Sequence, residues 1–314
     1  MKLPEQLALA KLVDAAPEGA EWLHEQKFDG YRIAAVLERG RARLLSRTFR
    51  DWTAQFPTIA AAVAALPSKS ALLDGEVAAV MSDGRTSFQA LQNREGELAY
   101  FVFDLLALDG EDIAALPQEQ RKARLAKLIE RAHRPELRYS DHVVGHGGEF
   151  FRLACQRGLE GIVSKRRDAP YSPGRGGAWL KTKCLLRQEL VIGGYTEPEG
   201  ARAHLGALLV GYYEGGRLAY AGKVGTGFTA KSLAQLAREL APLATARSPF
   251  DPEPRRAWTG PHVHWVEPRL VAEVAFSEWT ADGRLRHPSF QGMRRDKPAA
   301  DVVRERAAHS SRRK

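Results

Sequence analysis

The chain has 314 residues, of which 44% are hydrophobic and 27% are charged. This length suits two domains better than one, and the composition excludes global disorder. No apolar run is long enough to span a bilayer, and residues 1–14 lack the hydrophobic stretch of a signal peptide. We therefore expect neither export nor a membrane span.

The positive charge is concentrated at one end of the sequence. The formal net charge is +9, and residues 284–314 hold ten Lys or Arg against three acids, so +7 of the excess lies there. A basic end indicates a polyanionic partner, held by salt-sensitive phosphate contacts. A solvated basic tail explains the same charge equally well.

Cysteine usage is sparse, with Cys155 and Cys184 the two present. Two cysteines are typical of a reducing compartment and exclude both a four-cysteine zinc site and a disulfide scaffold. Cys155 lies in an apolar stretch, so we expect it to be a small core residue.

The first 189 residues alternate strand-like and helix-like runs. The hydrophobic periodicity predicts strands around a turn in 22–36, strands at 71–81, 98–108, 161–165 and 178–183, and helices at 57–66, 117–132 and 148–157.

A different pattern begins near residue 189. Strands are predicted at 190–196, 207–213, 218–224 and 270–279, with a helix over 229–243. Gly215-Gly216 marks a hairpin between the second and third of these strands. Several short strands with one inserted helix predict a small barrel of the OB type.

Two familiar motifs are incomplete and a third is absent. Residues 225–232 approach a P-loop, but Ala230 replaces the glycine that should precede Lys231. His24-Glu25 has Phe28 where a zinc protease helix needs its second histidine. No G-x-S-x-G elbow is present.

A more informative constellation is Glu25-Gln-Lys27-Phe-Asp29-Gly30-Tyr-Arg32. A lysine is nucleophilic once a neighbouring cation or desolvation favours its neutral amine. Asp29 offers an oxygen ligand for a metal, and the planar fork of Arg32 suits a ribose or phosphate. We expect Gly30 to permit a tight turn. A surface hairpin of mixed charge is the alternative interpretation of this segment alone.

Further motifs follow in order: Ser46-Arg47-Thr48, Asp74-Gly75-Glu76, Phe101-Val-Phe103-Asp104, Glu160-Gly161-Ile-Val-Ser-Lys165 and Trp179-Leu-Lys181-Thr-Lys183. Lys181 and Lys183 should lie on one side of a strand, since strand side chains alternate. Two ammonium groups on one face repel each other unless an anion lies between them, and a triphosphate is such an anion.

In this order the motifs resemble those of the nucleotidyltransferase superfamily of DNA ligases, RNA ligases and mRNA capping enzymes. The likeness covers nearly the whole chain and is nearest to the ligase domain of bacterial ligase D, the end-joining DNA ligase. The stretches that support it are Trp22–Arg32, Phe88–Gln92, Gln188–Thr196, Tyr220–Phe228 and Arg294–Lys297. The resemblance implies an α+β fold: an adenylation (nucleotidyltransferase) domain with antiparallel sheets and flanking helices over 1–188, an OB-fold β-barrel over 189–304 and a basic tail over 305–314.

The resemblance also implies an ATP-dependent DNA ligase that seals 3′-OH/5′-phosphate nicks in DNA repair and end joining. Lys27 would attack the α-phosphate of ATP and form lysyl-AMP, with release of pyrophosphate. The AMP would pass to the 5′-phosphate of the nick, and attack by the 3′-hydroxyl would then release AMP. Because these are in-line phosphoryl transfers, positioning and charge neutralisation should provide most of the catalysis.

Residue roles follow from the same likeness. Lys27, Asp29, Lys181 and Lys183 are the expected catalytic residues, and Glu160 with Asp29 would hold Mg²⁺ or Mn²⁺, partly through water. The expected cofactor-binding residues are Glu25, Arg32, Arg47, Glu76, Phe103, Lys165, Lys181, Lys183, Arg294, Asp296 and Lys297. Among them Phe103 would stack on adenine and Glu76 would hold the ribose. Arg47 would grip the 5′-phosphate of the nick, and the last three would orient the pyrophosphate.

Other interpretations remain open. An RNA ligase or a capping-type guanylyltransferase shares the first motif, and a catalytically silent OB protein that binds nucleic acid would explain the basic end. The expected partner is nicked or broken duplex DNA, and the resemblance adds the end-binding protein Ku and the polymerase and phosphoesterase modules of full ligase D proteins, for which this chain is too short. We expect a monomer in the bacterial cytoplasm, used at the nucleoid.

Overall fold

A computed structural model describes residues 3–184, 186–198 and 204–306. It contains two compact units: the first comprises the described residues up to Cys184 together with Arg306, and the second lies within Leu185–Glu305. The division falls shortly before the predicted limit at residue 188, and residues 307–314 of the predicted tail lie outside the described part. Among the described helices, none has the length and apolar character needed to cross a bilayer.

The first unit combines strands and helices in the order expected from the periodicity. Its strands are β1 Lys11–Leu12, β2 Trp22–Gln26, β3 Tyr31–Glu38, β4 Arg41–Ser46, β5 Ser70–Val80, β6 Glu97–Leu108, β7 Glu111–Asp112, β8 Leu137–Tyr139, β9 His142–Val144, β10 Gly161–Arg166 and β11 Trp179–Lys183. Its α-helices are α1 Pro57–Ala64, α2 Phe88–Asn93, α3 Gln118–Ala132 and α4 Gly147–Gln156. The sequence pattern missed α2 and the strands β1, β4, β7, β8 and β9, and it placed the remaining elements within a few residues.

These strands form two mainly antiparallel sheets. One has the order β1-β11-β10-β2-β9, and the other has the order β4-β3-β5-β6-β7 with β8 beside β6. Apolar residues of α1 and α3 cover one face of the second sheet. Its other face packs against Trp179 of the first sheet through Leu45, Leu72 and Leu106. The motif residues of β2, β10 and β11 therefore lie on a sheet that packs against the one carrying those of β3, β5 and β6.

The second unit is an antiparallel barrel-like sheet with an inserted helix. Its elements are β12 Leu186–Thr196, β13 Leu208–Glu214, β14 Arg217–Val224, α5 Ala230–Leu240, β15 Ala244–Thr245, α6 Arg256–Thr259, β16 Val263–Val266, β17 Val271–Phe276, β18 Glu278–Trp279, β19 Leu285–Arg286 and β20 Ser289–Arg294. β12 pairs with β13, β16 and β17, and β20 pairs with β17. Leu233, Leu236 and Leu240 of α5 are buried in the core of this unit. This is the OB-like architecture expected from the strand spacing.

Cys155 is not the small core residue that we expected. Cys155, near the end of α4, and Cys184, directly after β11, form a disulfide with their Cα atoms 5.2 Å apart. Both residues are half-buried. A sequence separation of 29 gave no sign of the pairing, because α4 and the end of β11 meet only in the folded chain.

A buried ion pair fixes α3 to the second sheet of the first unit. The guanidinium Nε of Arg121 lies 2.8 Å from Oδ1 of Asp104, and both side chains are fully buried. Gln118 also donates to Asp104, at 3.1 Å. Such a pair specifies a unique packing arrangement more than it adds net stability. Loss of one partner, however, leaves an uncompensated charge in the protein interior.

We predict that Arg121→Ala lowers the free energy of unfolding by about 3–5 kcal/mol, because Asp104 would remain buried without its cation. The matched control is Arg124→Ala on the same helix, whose partner Glu111 is 58% exposed. This control should cost less than about 1 kcal/mol. Urea titration followed by circular dichroism checks both, and equal losses would contradict the assignment.

Candidate active site

Lys27 is held beside a carboxylate by both its backbone and its side chain. It follows β2, and its amide N donates to the carbonyl O of Gly161 at 2.9 Å. Its Nζ lies 2.7 Å from both carboxylate oxygens of Glu160. The Lys27 side chain is 24% exposed and that of Glu160 is 6% exposed. The Lys27 side chain is thus partly exposed, while its partner carboxylate is almost fully enclosed.

The surroundings of Lys27 favour its charged form. Desolvation is the largest influence and lowers the pKa, but the carboxylates of Glu160, Glu76 and Asp29 outweigh it and raise the pKa above its ordinary value. An ammonium cannot attack an electrophile. A reaction at this amine therefore requires another cation to take over the attraction of these carboxylates.

Asp29 is oriented by the start of α2. Its carboxylate Oδ2 accepts from the amide of Phe88 at 3.1 Å, and its own amide donates to Oγ1 of Thr86 at 3.1 Å. The next residue, Gly30, has no room for a side chain, since a Cβ would lie 2.1 Å from the carbonyl O of Val77. Gly30 is therefore required by this close approach, which the sequence did not indicate.

The carboxylates near Lys27 suit a hard divalent cation. Glu160 and Asp29 supply oxygen donors, and in the described ranges no group of three or more His, Cys, Asp or Glu side chains is arranged to hold a metal. Mg²⁺ keeps several waters and needs only one or two protein carboxylates beside a phosphate. The donor set fits Mg²⁺ or Mn²⁺ better than it fits zinc.

The fork of Arg32 is bound to an acid to which the sequence gave no role. Nε and Nη2 of Arg32 donate to Oδ1 and Oδ2 of Asp74, each at 2.6 Å, and Nη2 also reaches the carbonyl O of Ala8 at 3.2 Å. The hydroxyl of Tyr171 donates to Asp74 at 2.7 Å. This network fixes Arg32 on β3, directly opposite Glu76 on β5.

A β-bulge sets the position of Phe103. Asp74 pairs with Asp104 and Gly75 pairs with Val102, so Phe103 is the extra residue of β6. Its ring lies 4.7 Å from the Arg32 guanidinium carbon and 4.6 Å from Nζ of Lys165. Bulges of this kind re-aim side chains beside functional sites.

An aromatic pair, which sequence reasoning missed, lies beside this site. Phe101 is the β6 residue opposite Glu76, and its ring stacks on that of Phe28 with centroids 4.0 Å apart. Phe28 directly follows Lys27 in the chain. Strand alternation places Phe101 on the same face as Glu76, and this was the available signal.

Glu25 and Lys165 belong to a buried charge cluster with Lys122 of α3. Nζ of Lys165 and of Lys122 lie 2.8 and 2.9 Å from Oε1 of Glu25, and all three side chains are at most 2% exposed. Lys165 also donates to the carbonyl O of Phe103 at 3.0 Å, and the Ser140 hydroxyl donates to Glu25 at 2.8 Å. Two buried ammonium groups thus share one carboxylate beside the bulge.

The excess charge perturbs Lys165. Desolvation is the first cause and Lys122 adds like-charge repulsion, and together they lower the pKa of Lys165 to about 8 despite the attraction of Glu25. The pKa of Glu25 is lowered in turn, because Lys122 and Lys165 outweigh a desolvation that alone would raise it.

Lys181 and Lys183 lie on β11 beside the start of β10. They pair with Val163 and Gly161 respectively, so they share a face of the sheet as predicted, and both are half-buried. Gly161 has a φ of +155°, and a Cβ there would lie 2.2 Å from the carbonyl O of Thr182. A larger residue at 161 would separate the strand that carries the lysines from the one that starts beside Glu160.

Arg47 lies at the end of β4 and is half-buried. The three late residues lie in the second unit within ion pairs of their own. Arg294 donates to both oxygens of Asp296, at 3.0 and 2.8 Å, and Lys297 lies 2.6 Å from Glu189. Although desolvation opposes it, Asp296 and Glu273 hold the pKa of Arg294 above its ordinary value.

We predict that the free energy of unfolding rises with pH in wild type between pH 8 and about 9.5, and rises less in Lys165→Met. Lys165 has an ordinary pKa of 10.5 and a folded-state pKa of about 8. In this window the unfolded chain binds more protons than the folded chain, so folding is favoured as pH rises. Lys127→Met, at an exposed site on α3, should keep the wild-type slope. Denaturant titrations at several pH values check this, and parallel curves for wild type and Lys165→Met would contradict it.

Comparisons with known proteins identify the family of this chain. The family described as ATP dependent DNA ligase domain matches residues 7–183, and that described as ATP dependent DNA ligase C terminal region matches residues 201–297. The multifunctional non-homologous end joining protein LigD of Pseudomonas aeruginosa is 44% identical over 316 residues, which cover 98% of this chain and 37% of that protein. LigD of Mycobacterium tuberculosis is 41% identical over 296 residues, which cover 93% of this chain and 38% of that protein.

Solved structures give the same result. A mycobacterial DNA ligase D complexed with ATP and MES superposes with a TM-score of 0.72 at 38% identity, covering 96% of this chain and 98% of that one. The ligase domain of M. tuberculosis LigD gives 0.53 at 37% identity with the same coverage. The chain spans just over a third of the length of its LigD relatives, at 37–38%. It belongs to the ATP-dependent DNA ligase family.

Proposed function

We propose that this chain is an ATP-dependent DNA ligase that seals 3′-OH/5′-phosphate breaks through lysyl-AMP and DNA-adenylate intermediates. We propose further that it acts in the end joining of DNA. The observation that carries the proposal is the amine of Lys27, partly exposed and held 2.7 Å from Glu160 with Asp29 close by. Membership of the DNA ligase family and the end-joining names of the LigD relatives support the substrate and the pathway.

The first step is the transfer of AMP to Lys27. The neutral amine attacks the α-phosphate, the N–P bond forms, the P–O bond to pyrophosphate breaks, and the nitrogen releases one proton to solvent. A divalent cation held by Glu160 and Asp29 would supply the positive charge that favours the neutral amine and offsets the phosphates. Lys181 and Lys183, on one face of β11, bind the phosphate that is transferred.

The remaining steps move AMP to DNA and release it. The 5′-phosphate of the break attacks lysyl-AMP and becomes a DNA-adenylate, and Lys27 recovers its proton. The 3′-hydroxyl then attacks the same 5′-phosphate, which forms the phosphodiester and expels AMP. Arg47 grips the 5′-phosphate. Contacts to duplex DNA are mainly to phosphates, and they therefore tolerate sequence and weaken with salt.

The nucleoside is held by the sheet that contains β3, β5 and β6. Glu76 binds the ribose, and Phe103 stacks on adenine with Phe101 and Phe28 beside it. Arg32 contacts the ribose or phosphate from its fixed place on Asp74. Glu25 and Lys165 contribute to nucleotide binding from beneath this layer, since Lys165 donates a hydrogen bond to the carbonyl O of Phe103.

The late motif of the second unit binds the pyrophosphate leaving group. Arg294, Asp296 and Lys297 orient the pyrophosphate during the first step, and the OB-like unit contacts duplex DNA afterwards. Domain limits of 1–188 and 189–304, a monomeric state, a cytoplasmic site of action and cooperation with Ku and with polymerase and phosphoesterase modules belong to the same proposal.

We predict that Lys27→Ala and Lys27→Arg both lose sealing of nicked duplex DNA to background. Alanine removes the nucleophile, and a guanidinium stays protonated at every accessible pH. Lys127→Ala, which removes an exposed lysine elsewhere in the same unit, should retain wild-type activity. Gel assays on nicked DNA and on the same nick in RNA check this. Sealing by either Lys27 variant would refute the nucleophile, and sealing of RNA alone would favour an RNA ligase.

We also predict that Lys297→Ala slows AMP transfer from ATP at least about tenfold, because one cation that offsets the leaving pyrophosphate is lost. After prolonged loading with AMP, the same variant should seal nicks at the wild-type rate. Arg269→Ala, at an exposed pair with Glu267, is the control for general damage to this unit. A wild-type rate of AMP transfer in Lys297→Ala would contradict the role.

A further inference from the structure

The disulfide between Cys155 and Cys184 links two segments of the candidate active site. Cys184 directly follows Lys183, and its amide N donates to the carbonyl O of Glu160 at 2.9 Å. Cys155 lies five residues before Glu160 in the chain. The cross-link therefore closes a loop that contains Glu160, Lys165, Lys181 and Lys183.

The Glu160–Gly161 segment is bracketed by the nucleophile and the disulfide. On one side the amide of Lys27 donates to the carbonyl of Gly161 at 2.9 Å, and on the other Cys184 donates to the carbonyl of Glu160. The Glu160 carboxylate then reaches Lys27 Nζ. Cys184 is thus joined by one hydrogen bond to the backbone of the residue whose carboxylate holds the charge of Lys27.

The cysteines are placed for reversible chemistry. Both are half-buried, so a small reagent can reach the pair. Their Cα separation of 5.2 Å lies in the range of disulfides, which lets the bond form without backbone rearrangement. In reducing compartments, disulfides are mostly transient and either catalytic or redox-sensing.

We propose that Cys155 and Cys184 form a reversible thiol–disulfide site that couples the redox state to the adenylylation step. The proposal rests on the function proposed above. Closure occurs by exchange with a low-molecular-weight disulfide. One cysteine thiolate attacks it, forming a mixed disulfide and releasing one small thiol, and the second cysteine then displaces the other small thiol. The two protein thiols are oxidised and the small disulfide is reduced to two thiols.

The closed form should be the more stable and the faster in AMP transfer. The cross-link restricts the unfolded chain over a sequence separation of 29, which corresponds to a rise in melting temperature of about 5–10 °C. It also holds Glu160 and Lys183 in place before ATP binds, so less ordering remains to be done on binding. We expect AMP transfer at subsaturating ATP to be several-fold faster in the closed form than in the open one.

The test uses the whole wild-type chain, stripped of AMP with pyrophosphate and then divided between oxidised glutathione and a dithiol reductant. Alkylation and intact mass count the free thiols, which should switch reversibly between none and two without cross-linked dimers. Melting temperature and the initial rate of AMP transfer are measured on both forms. The double variant Cys155→Ser/Cys184→Ser should behave like the reduced wild type and ignore the oxidant, whereas Cys155→Ser can gain at most one glutathione as a mixed disulfide on Cys184 and cannot close the cross-link.

Thiols that do not close under oxidant, or equal AMP-transfer rates in the closed and open forms, would overturn the proposal. Failure of the proposed function has a different signature, because no form and no cysteine variant would then accept AMP. The thiol count and the melting temperatures do not depend on AMP, so they still decide whether the site opens and closes.

Discussion

The contact on which the candidate site depends is the ion pair between the Lys27 amine and the Glu160 carboxylate. Its two nitrogen–oxygen distances of 2.7 Å keep the amine charged and therefore unreactive. The same carboxylate would hold the proposed cation that relieves this charge. The Lys27 ammonium and a divalent cation would thus compete for one carboxylate, and this would link the reactivity of Lys27 to the arrival of a metal-bound triphosphate.

Two sheets that pack against each other make this arrangement possible. Lys27, Glu160, Lys181 and Lys183 come from β2, β10 and β11 or their ends, while Arg32, Glu76 and Phe103 come from β3, β5 and β6. Glycines at 30 and 161 allow the backbones to approach where a Cβ would overlap a carbonyl oxygen. The buried pairs of Arg32 with Asp74 and of Lys165 with Glu25 hold the polar side chains of the candidate site in position. Part of the cost of ordering these groups is therefore met during folding.

Much of this was predictable from the sequence, because the motifs are local and the strand patterns strong. The principal strands and helices, the OB-like second unit and the shared face of Lys181 and Lys183 follow from periodicity. What failed depends on contacts between distant segments. Gly30 lies against the carbonyl of a residue on β5, the fork of Arg32 binds Asp74, and Cys155 forms a disulfide with Cys184. The bulge at Phe103 shifts the register of β6 by one residue, so simple alternation could not separate the roles of Phe101 and Phe103.

The central claim is that Lys27 becomes covalently adenylylated. Its most direct test is intact mass spectrometry of the wild-type chain after incubation with ATP and Mg²⁺, with GTP and NAD⁺ as parallel samples and peptide mapping of any product. The account predicts a gain of one AMP with ATP alone, located on Lys27. No gain with any nucleotide in protein first stripped with pyrophosphate, or AMP on another residue, would contradict it.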